Sequence, residues 1–173
     1  MTRQGNKELI ESLGKIDPTK PYGTELFNAL AKVTISIAIE AVCLRWNIKT
    51  KQIEVYLIQR SLDDTAYPGE WHCPGSILRP GESIDHVLFR LVIEELETPI
   101  LKKRFVANVN HPTENRGHFF SIVYLCVLVE NEALESKWFP VDSLPSKTLE
   151  THKKRIIPAA VGIFVAENVF ICD

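Results

Sequence analysis

The chain has 173 residues and a formal net charge of −2; 45% of its residues are hydrophobic and 24% are charged. This length and composition predict one globular domain with a substantial core, and they exclude a disordered chain. Because no long basic block is present, a nucleic acid polymer or an anionic membrane is not the default partner. An anionic ligand would need a locally arranged cation.

The cysteines, at positions 43, 73, 126 and 172, are widely separated and form no CxxC pair. This spacing argues against a structural zinc site and against a disulfide framework. Cys43, Cys126 and Cys172 lie in apolar runs and are expected to be buried, reduced thiols. Cys73 is the exception because it adjoins the loop described below, and a catalytic thiol there is the less favoured alternative.

The N-terminus lacks the apolar core of a signal peptide, and no apolar run reaches the length of a membrane span. We therefore expect a cytoplasmic protein that does not bind membranes. Residues 1–31 are predicted to form an N-terminal extension with short helical segments, and residues 32–173 to form the domain itself. The extension is expected to pack on the domain or on the second subunit of a homodimer.

Alternating apolar and polar side chains predict a strand at residues 34–45 and its hairpin partner at residues 53–60. Proline, glycine and aspartate mark residues 61–70 as a loop. Ser83 is a favourable N-cap for a helix that carries acidic residues near its C-terminal end, at Glu94 and beyond.

The second half of the chain predicts more strands and one more helix. Residues 100–109 form a strand, residues 111–117 a polar loop, and residues 118–130 an almost uniformly apolar and therefore central strand. A short strand at residues 137–141 and a final helix at residues 149–168 follow. This order predicts a mixed sheet with helices on its faces.

Carboxylates cluster at the end of the first long helix, at Glu94, Glu95 and Glu97. The helix dipole disfavours each exposed carboxylate there by about 0.3–1 kcal/mol, so a positive partner is expected. A purely structural interpretation pairs Glu94 with Arg90, four residues earlier, and leaves Glu95 to solvent or to a lysine. The functional alternative is a divalent cation, because Mg²⁺ prefers oxygen ligands and binds substrate phosphates.

The segment that begins at Pro74 and Gly75 resembles the Nudix box. Five residues separate Ser76 from Glu82, and seven separate Glu82 from Arg90, which matches the family spacing without gaps. The resemblance covers about residues 34–168. It implies an α/β fold, a Nudix-like α/β/α sandwich with a central mixed β-sheet.

Several positions depart from the family pattern. The first glycine is Ser76, the glutamate after the arginine is Leu91, and the closing glycine is Glu97. In Nudix enzymes, the glutamate after the arginine and the second glutamate of the later pair are main metal ligands, and this chain keeps only Glu95. The resemblance therefore implies weak binding of Mg²⁺ or Mn²⁺ by Glu94, Glu95 and the backbone carbonyl of Ser76, together with waters.

The same resemblance suggests roles for other residues. Glu95 is the candidate catalytic carboxylate, Glu82 would hold the loop, and Arg90 would orient a carboxylate. The candidate substrate contacts are Arg60, Trp71 and Glu114. Further polar and aromatic candidates, each explained at least as well or better by packing or by a surface position, are His72, His111, Arg116, His118, Tyr67 and Phe119.

Three functions remain open at this point. The first, which the box spacing favours, is a metal-dependent Nudix hydrolase that cleaves the diphosphate bond of a nucleoside diphosphate linked to another group. The second is a Nudix-fold nucleotide-binding protein with little or no catalysis, because Leu91 replaces a metal ligand. The third and least favoured is a diphosphate isomerase that uses Cys73. The first two predict a small nucleotide as partner and no nucleic acid polymer.

Overall fold

Strand β1 lies at the centre of the fold, because both of its long edges are paired. The computed structural model describes residues 3–129 and 131–167. The strands are β1 (Ile35–Asn47), β2 (Gln52–Tyr56), β3 (Ile58–Gln59), β4 (Trp71–His72), β5 (Gly75–Ile77), β6 (Ile100–Glu114), β7 (Gly117–Leu128) and β8 (Trp138–Pro140). The helices are α1 (Arg3–Leu13), α2 (Thr24–Ala31), α3 (Ile84–Leu91) and α4 (Ile157–Ala166), with π-helical turns at Val92–Leu96 and His152–Ile156 and a 3₁₀ helix at Glu132–Lys137.

The main sheet is mixed, as the sequence predicts. Its order is β6-β7-β1-β2-β8, and β5 also pairs with β1. Strands β1 and β7 are parallel, whereas β1 is antiparallel to both β2 and β5. The short strands β3 and β4 form a separate antiparallel pair.

Successive side chains of β1 point to opposite faces of the sheet, and a different helix covers each face. On one face, Cys43 packs in a buried cluster with Leu88 and Leu91 of α3. On the other face, Val42 packs in a second cluster with Phe164 of α4. The predicted α/β/α sandwich with a central mixed sheet is confirmed. No helix in the described part of the chain is long and apolar enough to cross a membrane.

Two boundaries differ from the sequence prediction. Residues 111–117 are not a loop, because β6 continues to Glu114 and only a two-residue turn leads into β7. β6 lies at the edge of the sheet, where most of its residues are exposed, so its polar end resembles a loop in the sequence. The predicted strand at residues 53–60 divides at Leu57, whose N–H donates to the carbonyl of Lys137 (2.9 Å) before the chain turns to pair with β4.

Helix α2 packs against the start of β7 and closes one side of a cavity. Gly117 permits this approach, because a Cβ there would lie only 2.0 Å from the carbonyl oxygen of Ala31. Phe27 of α2 then meets Phe119 of β7 edge to face, with ring centroids 6.4 Å apart.

Helix α3 carries the box residues and begins as predicted, with the Ser83 hydroxyl accepting from the N–H of His86 (3.2 Å). Leu91 ends the α-helical part and is 0% exposed. A π-helical turn follows, and Glu97 then adopts a left-handed conformation with φ of 58° at the position where the family has glycine. The Glu97 carboxylate is paired with Lys137 (2.8 Å), which is the basic partner expected for a carboxylate near the C-terminal end of a helix.

We predict that Leu91→Ala lowers the free energy of unfolding by about 2–5 kcal/mol, because it leaves a cavity beneath α3. Ile93→Ala is the matched control, since Ile93 lies two residues later and is 65% exposed. It should change stability by less than about 0.5 kcal/mol. Urea denaturation measures both values, and equal losses in the two variants would contradict the packing of Leu91 described here.

Candidate functional site

A cavity of about 210 Å³ lies between the start of β1, the chain around β5, the turn between β6 and β7, and the helix that begins near Thr151. Phe27, Tyr67 and Phe119 supply aromatic walls, and charged and imidazole side chains supply the polar surface. Of the box segment, only Gly75, Ser76 and Ile77 line this cavity. The main candidate site therefore lies beside the box helix.

Two carboxylates meet at Gly75. Glu40 faces it from β1, and a Cβ on Gly75 would lie 2.2 Å from a Glu40 carboxylate oxygen. Glu95 accepts a hydrogen bond from the Gly75 N–H (3.2 Å). Burial raises the pKa of each carboxyl to about 7, although the positive charge of Arg60 acts to lower both pKa values. Either group can therefore gain or lose a proton near neutral pH.

Glu40 was not predicted as a site residue. It is the one charged residue within the apolar run at residues 35–44. A lone carboxylate in a central strand could have indicated a site residue, because a buried carboxylate needs hydrogen-bonding or charged partners. Its partner is the Ser121 hydroxyl, which donates to Glu40 (3.3 Å).

Arg90 and Glu82 hold the loop before α3. The guanidinium of Arg90 donates to the Glu82 carboxylate (2.9 Å), to the Ser76 hydroxyl (2.6 Å) and to the carbonyl of Ile77 (3.1 Å). The carboxylate of Glu82 also accepts from the N–H of Arg79 (2.9 Å). Burial acts to raise the pKa of Glu82, but the hydrogen bonds from Arg90 and from the N–H of Arg79 together lower this pKa below its ordinary value. This geometry agrees with the loop-holding and orienting roles suggested for the two residues, and their part in catalysis stays a prediction.

The box residues fit a divalent metal poorly. Leu91 occupies the position of a family ligand and is buried in the core. The side chain of Glu94 is 54% exposed and lies 3.9 Å from Arg90, whereas Glu95 is directed to Gly75. Among the described residues, no three His, Cys, Asp or Glu side chains form a group that could hold a metal ion. No catalytic step through a metal follows from this arrangement.

Two arginines on the cavity wall share one carboxylate. Asp64 is 2.6 Å from Arg116 and 3.2 Å from Arg60. Burial opposes the ionisation of Asp64, but backbone N–H groups and Arg116 lower its pKa. The Nε atoms of both arginines are buried without a partner among the described residues. Because the two guanidinium groups share one carboxylate, this part of the wall retains N–H donors that suit an anion.

The carboxylate of Glu114 is already engaged on both oxygens. It accepts a hydrogen bond from the Tyr67 hydroxyl and another from the Thr151 hydroxyl (2.8 Å). Burial raises the pKa of Tyr67, and the bond to Glu114 raises it further. Glu114 therefore orders the cavity wall and is poorly placed to act as a free base.

The other sequence candidates fall into two groups. Arg60, His72, His111 and Arg116 line the cavity together with Glu114, Tyr67 and Phe119. Trp71 lies elsewhere, packed edge to face on Phe139 with centroids 4.9 Å apart. His118 is near Asn110 (2.6 Å), outside the cavity lining.

His152, which the sequence did not mark as a site residue, also lines the cavity from a distant part of the chain. Its neighbours in sequence are basic and exposed, so no local signal marked it. Cys73, the candidate thiol, is fully buried, and burial raises its pKa. The expectation that Cys73 differs from the other cysteines is therefore wrong, because Cys73 is a buried core residue like Cys43 and Cys126. Cys172 lies outside the described residues.

Comparison with known proteins agrees with this fold. A family model described as NUDIX domain matches residues 38–160 of the chain. No curated protein sequence matches it.

Solved structures with a similar fold include NrtR and a mutT/nudix family protein. NrtR from Shewanella oneidensis has a TM-score of 0.63 at 19% identity; the match covers 76% of this chain and 64% of NrtR. This chain thus spans just under two thirds of NrtR, which is also known in complex with a 27mer DNA. A mutT/nudix family protein from Listeria innocua has a TM-score of 0.63 at 19% identity and is covered over 96% of its length, by 78% of this chain.

The NUDIX domain of the same NrtR, in complex with ADP ribose, has a TM-score of 0.61 at 18% identity, with coverage of 95% of this chain and 99% of that domain. At these identities, the structural likeness establishes the fold alone. The sequence match over most of the chain establishes more: this protein belongs to the Nudix family.

Proposed function

We propose that this protein binds a small nucleoside diphosphate-type ligand in the cavity and has little or no metal-dependent hydrolase activity. The observation that carries the proposal is the burial of Leu91 in the core at the position of a family metal ligand. An aliphatic side chain cannot bind Mg²⁺ or Mn²⁺, and the π-helical turn that follows directs Glu94 and Glu95 to different partners.

The cavity walls suit the two halves of a nucleotide. Arg60 and Arg116 offer guanidinium groups, which bind phosphate oxygens through paired N–H donors. Phe119 and Tyr67 offer aromatic surface for a base. The complex of the NrtR domain with ADP ribose supports the same ligand class.

The remaining expectations form part of the proposal. Residues 32–173 act as the Nudix domain, and α1 carries exposed Leu9 and Ile10, which fits an N-terminal extension that covers the second subunit of a homodimer. The free buried thiols fit the cytoplasm. With a net charge of −2, we expect no binding to a nucleic acid polymer, and a mobility-shift assay with a 27mer duplex tests that point against the NrtR–DNA complex.

We predict that ADP-ribose stabilises the protein equally with Mg²⁺ and with EDTA. At a ligand concentration 100 times Kd, the gain is about 2.7 kcal/mol, or a rise in Tm of roughly 5–10 °C. Arg116→Gln should weaken binding about tenfold or more, because a charged donor is lost. Arg104→Gln is the control, since Arg104 is exposed and pairs with Glu167 outside the cavity lining. A stabilisation that disappears in EDTA would contradict the proposal.

The second candidate is the metal-dependent hydrolase that cleaves a nucleoside diphosphate linked to another group. It is favoured by the approach of Glu95 and Glu40 to the same glycine, which places two carboxylates beside the cavity. In this case Glu95 would be the catalytic carboxylate, and Glu94 and the carbonyl of Ser76 would complete weak binding of Mg²⁺ or Mn²⁺.

A turnover assay distinguishes the two candidates. We expect a panel of nucleoside diphosphate derivatives with Mg²⁺ or Mn²⁺ to give no product above background, in wild type and in Glu95→Gln alike. Glu135→Gln is the matched control, because Glu135 is exposed and pairs with Arg45 outside the cavity lining. Turnover that survives in Glu135→Gln and is abolished in Glu95→Gln would establish the hydrolase instead.

A further inference from the structure

Two histidines form a pair on one wall of the cavity. The rings of His72 and His152 are nearly perpendicular, at 86°, with centroids 6.2 Å apart. Both side chains are buried, and both line the cavity. Each ring is hydrogen-bonded through its Nδ1 atom to the backbone of the same residue, Cys73.

These backbone contacts fix opposite tautomers. Nδ1 of His72 lies 2.7 Å from the carbonyl oxygen of Cys73, and a carbonyl only accepts, so Nδ1 carries the proton. Nδ1 of His152 accepts from the N–H of Cys73 (3.1 Å), so its proton is on Nε2. As neutral rings, His72 offers an acceptor at Nε2 and His152 offers a donor at Nε2.

The surroundings keep both rings neutral. Burial lowers the pKa of His72 to about 3, and the positive charge of Arg60 acts in the same direction. Burial also lowers the pKa of His152, with further contributions from His72 and Arg60. Neither ring is therefore protonated at neutral pH, and the donor–acceptor pattern persists there.

The Nε2 atom of each ring is left for a ligand. Among the described residues, the hydrogen bonds of both rings are made by Nδ1, and none uses Nε2. Because both residues line the cavity, we take their Nε2 atoms as the positions that a bound molecule would contact.

We propose that His72 and His152 recognise the hydrogen-bonding edge of the ligand's nucleobase. Nε2 of His72 accepts an N–H of the base, and Nε2 of His152 donates to a ring nitrogen or carbonyl. This inference rests on the proposed function, because it names the part of the nucleotide that this wall contacts.

The chemistry of the wall selects among the parts of a nucleotide. The lone pair of His72 disfavours a phosphate, and the guanidinium of Arg60 nearby disfavours a cation. Ribose hydroxyls rotate to suit either role and need no fixed tautomers. A base edge holds a donor and an acceptor rigidly side by side, as adenine does with its N6 amino group and ring nitrogens. It is therefore the group that matches two fixed and opposite tautomers.

The test compares ADP-ribose with its N6,N6-dimethyl analogue, which lacks the N–H donor, by isothermal titration calorimetry. His72→Asn retains an amide that can donate to the Cys73 carbonyl and removes the acceptor at Nε2. We expect it to weaken ADP-ribose binding about 3- to 10-fold and to leave binding of the analogue unchanged. His152→Asn should weaken ADP-ribose binding similarly, and His152→Gln, which places an amide near the Nε2 position, should recover most of it.

The outcomes separate this inference from the proposed function. If wild type binds ADP-ribose and His72→Asn weakens both ligands equally or neither, the inference is overturned and the proposed function stands. If wild type binds neither ligand, both are overturned. Long-range ¹H–¹⁵N correlation spectra of the free protein test the tautomers directly: we expect the proton on Nδ1 of His72 and on Nε2 of His152, and the same tautomer in both rings would overturn the inference without any ligand.

Discussion

The packing of Leu91 against the central sheet is the constraint on which the rest of the site depends. Leu91 lies with Leu88 and Val87 on the buried face of α3 and sets how that helix rotates against β1. With this face fixed, Arg90 is directed to the loop before the helix, where it binds Glu82 and Ser76. The position that would supply a carboxylate to a metal in the family supplies packing energy here.

The π-helical turn after Leu91 determines where the remaining carboxylates go. Glu97 N–H bonds to the carbonyl of Val92, five residues earlier, so the extra residue in the turn changes the direction of the side chains that follow. Glu95 reaches Gly75, where Glu40 also arrives from β1. Two carboxylates with raised pKa thus lie against one glycine beside the cavity, which the guanidinium groups of Arg60 and Arg116 also line.

Local patterns predicted the elements of the fold well. The alternation of β1, the N-cap at Ser83 and the box spacing depend on neighbours in sequence, so the sequence carries them directly. The sequence predicts too early an end for the edge strand β6, because the polar side chains of an edge strand resemble those of a loop. The position of Trp71 was equally hidden, because its partner Phe139 is distant in sequence.

The candidate site was only partly predictable for the same physical reason. Arg60 and Glu114 could be proposed from a resemblance and a polar segment. Glu40 is marked in the sequence only as a lone charge in an apolar strand, and its pairing with Gly75 is seen only in the structure. His152 enters the site through a hydrogen bond to the backbone of Cys73, which leaves no local pattern. Residues that act by long-range pairing need the structure to bring them together.

We infer that burial of Leu91 leaves the box without a divalent metal site, and direct titration with Mn²⁺ tests this inference. Electron paramagnetic resonance measures free Mn²⁺ in the presence of the full chain saturated with ADP-ribose. We predict that the free Mn²⁺ signal matches that of a solution containing ADP-ribose alone. Additional binding of one Mn²⁺ per chain that Glu95→Gln removes would contradict it.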